Sequence, residues 1–178
     1  MEALEVLEEA GSILSEHATV PIAFEVRARL DVEALGRGEL VELEVVRFWK
    51  DYDALEPIGS MVASLAPDSW LLLAAHEEGE RLGGLVLVFE MPAPGMATVL
   101  DLRVHPSARR RGAGRALMKA AIAHCARRSV RELWVETQDI NVAACRFYWA
   151  MGFELAEINP AAYPQELEEV QILWQLAI

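Results

Sequence analysis

Between Leu100 and Arg115 the chain reads Leu-Asp-Leu-Arg-Val-His-Pro-Ser-Ala-Arg-Arg-Arg-Gly-Ala-Gly-Arg: an apolar strand, a break, then arginines and two glycines at the start of a helix. From Arg103 to Arg131 there are nine Arg or Lys residues and no Asp or Glu, in a protein of formal net charge −12. A helix N-terminus offers unpaired N–H groups and the positive end of a dipole. Glycines let a ligand approach the backbone, and guanidinium groups donate to phosphate oxygens in pairs. The stretch therefore predicts a diphosphate cradle. It lacks the Gly-Lys-Ser/Thr of a nucleoside-triphosphate loop, and Leu117 stands where a dinucleotide fingerprint needs a third small residue.

A second group of chemistry-bearing residues follows. Asn141 and Tyr148 are seven apart, so on a helix they project along one face two turns apart. Read by residue type alone, Asn141 suits a helix N-cap and Tyr148 a core aromatic. Two carboxylates, Asp101 and Glu136, sit on the predicted strands that flank the basic segment. Cys125 and Cys145 fall in predicted helices and His17, His76, His105 and His124 show no metal-ligand spacing, so inert thiols, structural or solvent-facing histidines and no metal are expected.

The elements that must position these groups are legible from periodicity. Ala3 to Glu16, with Leu4, Leu7, Ile13 and Leu14 among acids, predicts an amphipathic helix that can pack at an edge or pair with a second subunit, which leaves a homodimer open. Ile22–Val32 and Leu40–Trp49 predict a hairpin around a turn at Gly36–Gly38, and Asp53–Ala66 a helix that Pro67 ends. Trp70–Ala75 and Leu82–Phe89 read as strands around an acidic turn, followed by the strand Ala97–Val104, the basic loop and a helix buried through Leu117, Met118, Ala121, Ile122 and Cys125. A strand at Glu132–Thr137, a helix at Asn141–Ala150 closed by Gly152, and strands at Phe153–Ile158 and Val170–Leu176 complete the chain. The expectation is α+β: a mixed, mostly antiparallel seven-stranded sheet with helices on both faces. Residues 1–20 are expected as an N-terminal helical extension and 21–178 as one compact domain.

The chain has 178 residues and 53% hydrophobic content, enough to bury a core unaided. No apolar run reaches the ~18 residues needed to span a bilayer, and the acidic start is unlike a secretory signal, which predicts a cytoplasmic protein. The acidic balance disfavours nucleic acid and anionic lipid as partners and suits a cationic small substrate.

Arg109 to Gly114 matches Arg-x-x-Gly-x-Gly between a strand and a helix, and downstream comes Trp134-Val-Glu-Thr-Gln-Asp-Ile-Asn-Val-Ala-Ala-Cys-Arg-Phe-Tyr148 with Met-Gly-Phe153. Together these resemble the GNAT acyl-CoA-dependent N-acetyltransferases, and the wording is especially similar to the streptothricin acetyltransferase subgroup. The resemblance is strong from Leu100 to Phe153 and loose before that. It implies acetyl-CoA as co-substrate, with main-chain groups of the Asp101–Val104 strand, Leu102 and Arg103 included, beside the pantetheine. Backbone N–H groups of Arg110, Arg111, Gly112, Ala113, Gly114 and Arg115 would hold the diphosphate, Arg109 and Arg110 would add charge, and Asn141 would touch the coenzyme.

The resemblance also implies direct acetyl transfer to a primary amine through a tetrahedral intermediate, with Tyr148 protonating the departing thiolate. An amine of pKa near ~10 must lose its proton before it attacks, and Asp101 and Glu136 are the candidate bases. The acceptor implied is a small-molecule amine, streptothricin-like or a polyamine, which opens a role in antibiotic resistance. A peptide or protein amine, or a noncatalytic acyl-CoA sensor, are the alternatives. The segment Ala156–Tyr163 and the first hairpin would line the acceptor side.

Overall fold

The computed structural model describes residues 4–178. In chain order the elements are β1 (Glu5–Glu9), α1 (Leu14–His17), β2 (Phe24–Leu30), α2 (Val32–Gly36), β3 (Glu42–Lys50), α3 (Ile58–Val62), β4 (Trp70–Glu77), β5 (Glu80–Phe89) and β6 (Met96–Val104), then α4 (Ala113–Arg127), β7 (Glu132–Gln138), α5 (Val142–Ala150), β8 (Glu154–Asn159) and β9 (Gln171–Ala177). Every strand except β2 and β3 belongs to one sheet, in the order β1-β4-β5-β6-β7-β9-β8. The β1·β4, β4·β5, β5·β6 and β8·β9 pairings are antiparallel, which gives the mostly antiparallel α+β architecture the sequence predicts. Among the described residues no helix is long and apolar enough to cross a membrane.

The chain divides into two compact units. The first holds the residues up to Ala23, Asp51–Leu133 and Ile178. Its centre is the β4–β5 pair, whose Leu72, Val86 and Val88 pack with Ile58 and Val62 of α3. Leu71–Ala75 of β4 and Leu82–Phe89 of β5 are buried without a break, so the two strands read as continuous apolar runs and not as alternating ones. Helix α4 buries Ala113, Leu117, Met118, Ala121 and Cys125, a single stripe at helical spacing, and lies against β4, β5 and β6. On β6 burial alternates strictly: Ala97, Val99, Asp101 and Arg103 are buried, and their neighbours are half-buried.

The second unit holds Phe24–Lys50 and Trp134–Ala177. Its core gathers Val26, Leu30, Cys145, Phe153, Ile172 and Trp174, and the Trp174 indole N–H donates to Thr137 Oγ1 at 2.8 Å. Strands β2 and β3 pair antiparallel as the predicted hairpin but form a two-stranded ribbon of their own. Its β3 strand leaves Val46 91% and Trp49 73% exposed.

Three expectations need correction. Residues 4–16 do not make an amphipathic helix: Glu5–Glu9 pairs with His76–Leu72 of β4, and Glu9 accepts hydrogen bonds from His76 Nε2 at 3.1 Å and from Arg81. Helix-favouring Glu and Leu yield there to the open edge of a buried strand, a tertiary override of propensity. Gly36–Gly38 is not a bare turn: Gly36 ends α2, whose N-cap Asp31 accepts from the N–H groups of Glu33 and Ala34. The helix expected at Asp53–Ala66 shrinks to Ile58–Val62 with Pro57 at its N-cap, because the Asp53 carboxylate is engaged by Arg103 and caps nothing.

Candidate active site

The basic loop lies wholly in the first unit. After β6, a 3-10 turn at Pro106–Ala108 leads into Arg109, and two residues then take left-handed backbone: Arg110 at φ 67° and Gly112 at φ 98°. Gly112 is the N-cap of α4, and a Cβ built on it meets nothing within 4 Å, so open space faces the backbone there. The first bond of the helix runs from the Ala116 N–H to the Gly112 carbonyl at 2.9 Å. The N–H groups of Ala113, Gly114 and Arg115 therefore point out of the helix end without a helical acceptor, beside left-handed turns of the kind that form anion-binding concavities. This backbone fits a diphosphate.

The arginines around it divide their duties. Arg110 and Arg115 are exposed to solvent. Arg111 is ion-paired with Glu77 at the end of β4. Arg109, expected simply to add charge, folds back, with Nε donating to the Val104 carbonyl at 3.2 Å and a terminal nitrogen to that of Pro21 at 3.5 Å.

Asp101 differs from the expectation of a base. Its carboxylate accepts from His17 Nε2 at 2.6 Å and from the Arg103 guanidinium at 2.8 Å through both Nε and a terminal nitrogen. Burial alone pushes its carboxyl up, but the hydrogen bonds and charges of His17 and Arg103 outweigh that and hold it below the usual carboxylate range. A buried carboxylate so committed is a poor acceptor for an amine's proton. Arg103, expected beside the coenzyme, also turns its side chain elsewhere. It donates to Asp53 at 2.9 and 3.0 Å, to the Val20 carbonyl at 3.2 Å and to that of Ala18 at 3.4 Å. The role expected of it, like that of Leu102 and Val104, is one for the main chain, which the side-chain contacts do not touch. Residue type gave no hint of His17 or Asp53, whose partners on β6 are 84 and 50 positions away.

Glu136, Asn141 and Tyr148 lie in the second unit. Glu136 is exposed on β7 and accepts from Tyr163 OH at 2.5 Å, Gln171 Nε2 at 2.7 Å and Gln138 Nε2 at 3.4 Å. Among the described residues no cation pairs with it, in contrast to Asp139 with Arg29 and Glu169 with Lys50. Neutral donors orient the carboxylate and leave its charge uncompensated. Tyr163 belongs to the segment expected on the acceptor side; Gln138 and Gln171 are neutral amides, whose spacing carries no sign of a role at a carboxylate. Asn141 caps α5, its Oδ1 accepting from the Ala144 N–H at 3.2 Å. Tyr148 is buried with its ring edge-on to Phe147 at 5.2 Å and Phe153 at 5.4 Å, contacts that fix the ring plane.

Both cysteines are buried, and desolvation pushes each thiol up to about 11, so neither is a ready nucleophile. Two shallow clefts of about 260 and 440 Å³ lie around Asp68 and Arg128 at the C-terminal end of α4. They contain none of the residues above, and a helix of fifteen residues places them about 22 Å from the basic loop.

Residues 37–153 match the acetyltransferase (GNAT) family. The chain belongs to that family. Streptothricin acetyltransferase of Streptomyces lavendulae is 31% identical over 96 residues, 54% of this chain and 50% of that protein. The ribosomal protein bS18 alanine N-acetyltransferase of Escherichia coli K12 is 38% identical over 68 residues, 38% of this chain and 46% of that protein. The GNAT chain thus spans about half the length of the curated relatives it matches. Among solved structures, one from Bacillus anthracis, assigned as a streptothricin acetyltransferase and in complex with acetyl coenzyme A, superposes with a TM-score of 0.80 at 24% identity, covering 99% of both chains. Nourseothricin acetyltransferase gives 0.77 at 23% identity, again over 99% of both chains. At these identities the likeness is one of fold.

Proposed function

We propose that this GNAT chain transfers the acetyl group of acetyl-CoA to a primary amine of a small cationic molecule. The observation that carries the reading is the left-handed backbone at Arg110 and Gly112 at the head of α4, where three N–H groups without a helical acceptor adjoin open space, with the exposed Arg110 and Arg115 on the same segment. Acetyl-CoA supplies an acetyl group already activated as a thioester. Glu136, oriented by Tyr163 and Gln171 and without a counter-ion among the described residues, attracts an ammonium and takes up the proton the amine sheds. Tyr148, its ring held by two phenylalanines, delivers a proton to the departing sulfur, and Asn141 contributes its carboxamide N–H groups to the coenzyme. Asp101 takes no part in proton transfer.

The uncompensated charge of Glu136 and the net charge of −12 support a cationic acceptor. The likeness to streptothricin acetyltransferases supports an antibiotic amine as that acceptor. The 38% identity to the bS18 alanine acetyltransferase supports a second reading, a protein N-terminal amine. Release of free coenzyme A measured against streptothricin, spermidine and an alanine-terminated peptide decides between them. Turnover with streptothricin or spermidine alone supports the first reading, turnover with the peptide alone supports the second, and coenzyme binding without release with any acceptor overturns both in favour of a sensor.

A further inference from the structure

The segment between α1 and β2 is tied to β6 and the basic loop at successive points. His17 Nε2 meets Asp101 at 2.6 Å; the carbonyls of Ala18 and Val20 accept from Arg103; the carbonyl of Pro21 accepts from Arg109. Arg103 is buried and spends its donors on Asp101, Asp53 and these carbonyls, so one guanidinium joins β6, the segment after β3 and the segment after α1. His17 is fully buried, and its Nδ1 has no hydrogen-bond partner among the described residues. A ring chosen only to fill space would not carry an orphaned nitrogen into a core, because leaving it unsatisfied costs about 1–3 kcal/mol. The strand pair accommodates it with a glycine: a Cβ on Gly84 of β5 would stand 2.5 Å from that nitrogen and 2.8 Å from the Leu73 carbonyl.

On β6 the side chains alternate, so Asp101 and Arg103 fasten one side of the strand while Leu102 and Val104 stand on the other. Arg109 continues the same fastening into the loop by bridging the carbonyls of Val104 and Pro21. We infer that His17, Asp53 and Arg103 are positioning residues: they clamp residues 17–21 against β6 and thereby hold its main chain and the basic loop in the geometry that receives the coenzyme. This rests on the reading of that loop as the coenzyme site. The ties converge on the strand and loop that carry the coenzyme groups, and none of them reaches Glu136 or Tyr148. Loosening the clamp therefore weakens coenzyme binding more than it slows the chemical step.

Titration calorimetry with coenzyme A on the full chain, paired with thermal melts, tests this. H17F keeps a ring of similar size and loses the donor; H17Q returns a donor close to where Nε2 stood; D53N removes one carboxylate charge from Arg103. The expected result is a Kd raised about tenfold in H17F and D53N, recovery in H17Q to near the wild-type value, and a kcat at saturating coenzyme that stays close to wild type. Folded H17F and D53N with unchanged Kd overturn the clamp, and so does an H17Q as weak as H17F. Should H17F fail to fold, D53N decides alone, since that carboxylate is partly exposed and its replacement leaves the core filled. Failure of the wild-type chain to bind coenzyme A overturns the functional reading instead and is told apart by that control.

Discussion

At the scale of single residues, chemistry depends on how each group is held. Tyr148 and Glu136 illustrate two ways: a phenol whose ring plane is set by flanking aromatics, and a carboxylate oriented by neutral donors with no neutralising partner among the described residues. Tyr148→Phe keeps the aromatic packing and removes the proton, so kcat is expected to fall by about 100-fold while calorimetry finds coenzyme affinity nearly intact. Unaltered steady-state turnover removes Tyr148 from the proposed chemistry. Glu136→Gln keeps the shape and hydrogen-bonding capacity but not the charge. It is expected to raise KM for a cationic amine and lower kcat together, with KM for acetyl-CoA unmoved. Asp101 shows why residue type alone misleads: it sits on the right strand for a base, yet its partner His17 lies 84 positions away, a distance over which sequence spacing carries no information.

At the scale of elements, the loop between β6 and α4 was legible because it is built from local rules: a strand end, a left-handed glycine, a helix start. Gly112 at φ 98° is expected to tolerate alanine poorly, at roughly 1–2 kcal/mol of backbone strain, even though the space beside it is open. The Gly112→Ala chain should therefore melt at a lower temperature and bind coenzyme A more weakly. Reversal of charge at Arg110, which faces solvent, is expected to weaken binding strongly in dilute buffer and little in high salt, a difference that calorimetry at two ionic strengths measures. The strands from Trp70 to Val104 and helices α4 and α5 follow their apolar periodicity closely. Strand β1 and the short α3 do not, because their conformations are decided elsewhere, by the edge of β4 and by the pull of Arg103 on Asp53. The adjacent glycines Gly83 and Gly84 within β5 are a local sign that something presses on that strand.

At the scale of the whole molecule, an acidic chain keeps buried His17, Asp101 and Arg103, with the partly exposed Asp53, as a cross-link among segments distant in sequence. Because the Asp101 carboxyl is held below its ordinary range in the folded state, the stability it contributes is complete above about pH 4 and drains away as pH falls toward the folded value. Thermal melts of wild type and Asp101→Asn should differ widely at pH 7 and draw together as the pH falls from about 4 through the folded value; a gap independent of pH removes the carboxylate from that role. The two-stranded ribbon has a practical consequence of another kind. Trp49 stands in water on β3, whereas Trp174 of the same unit is sealed in the core with its indole N–H bonded to Thr137. Iodide added to the buffer dims the emission of the first long before that of the second, so once Trp149, 38% exposed, is replaced by phenylalanine the protein carries its own optical gauge of what touches the ribbon.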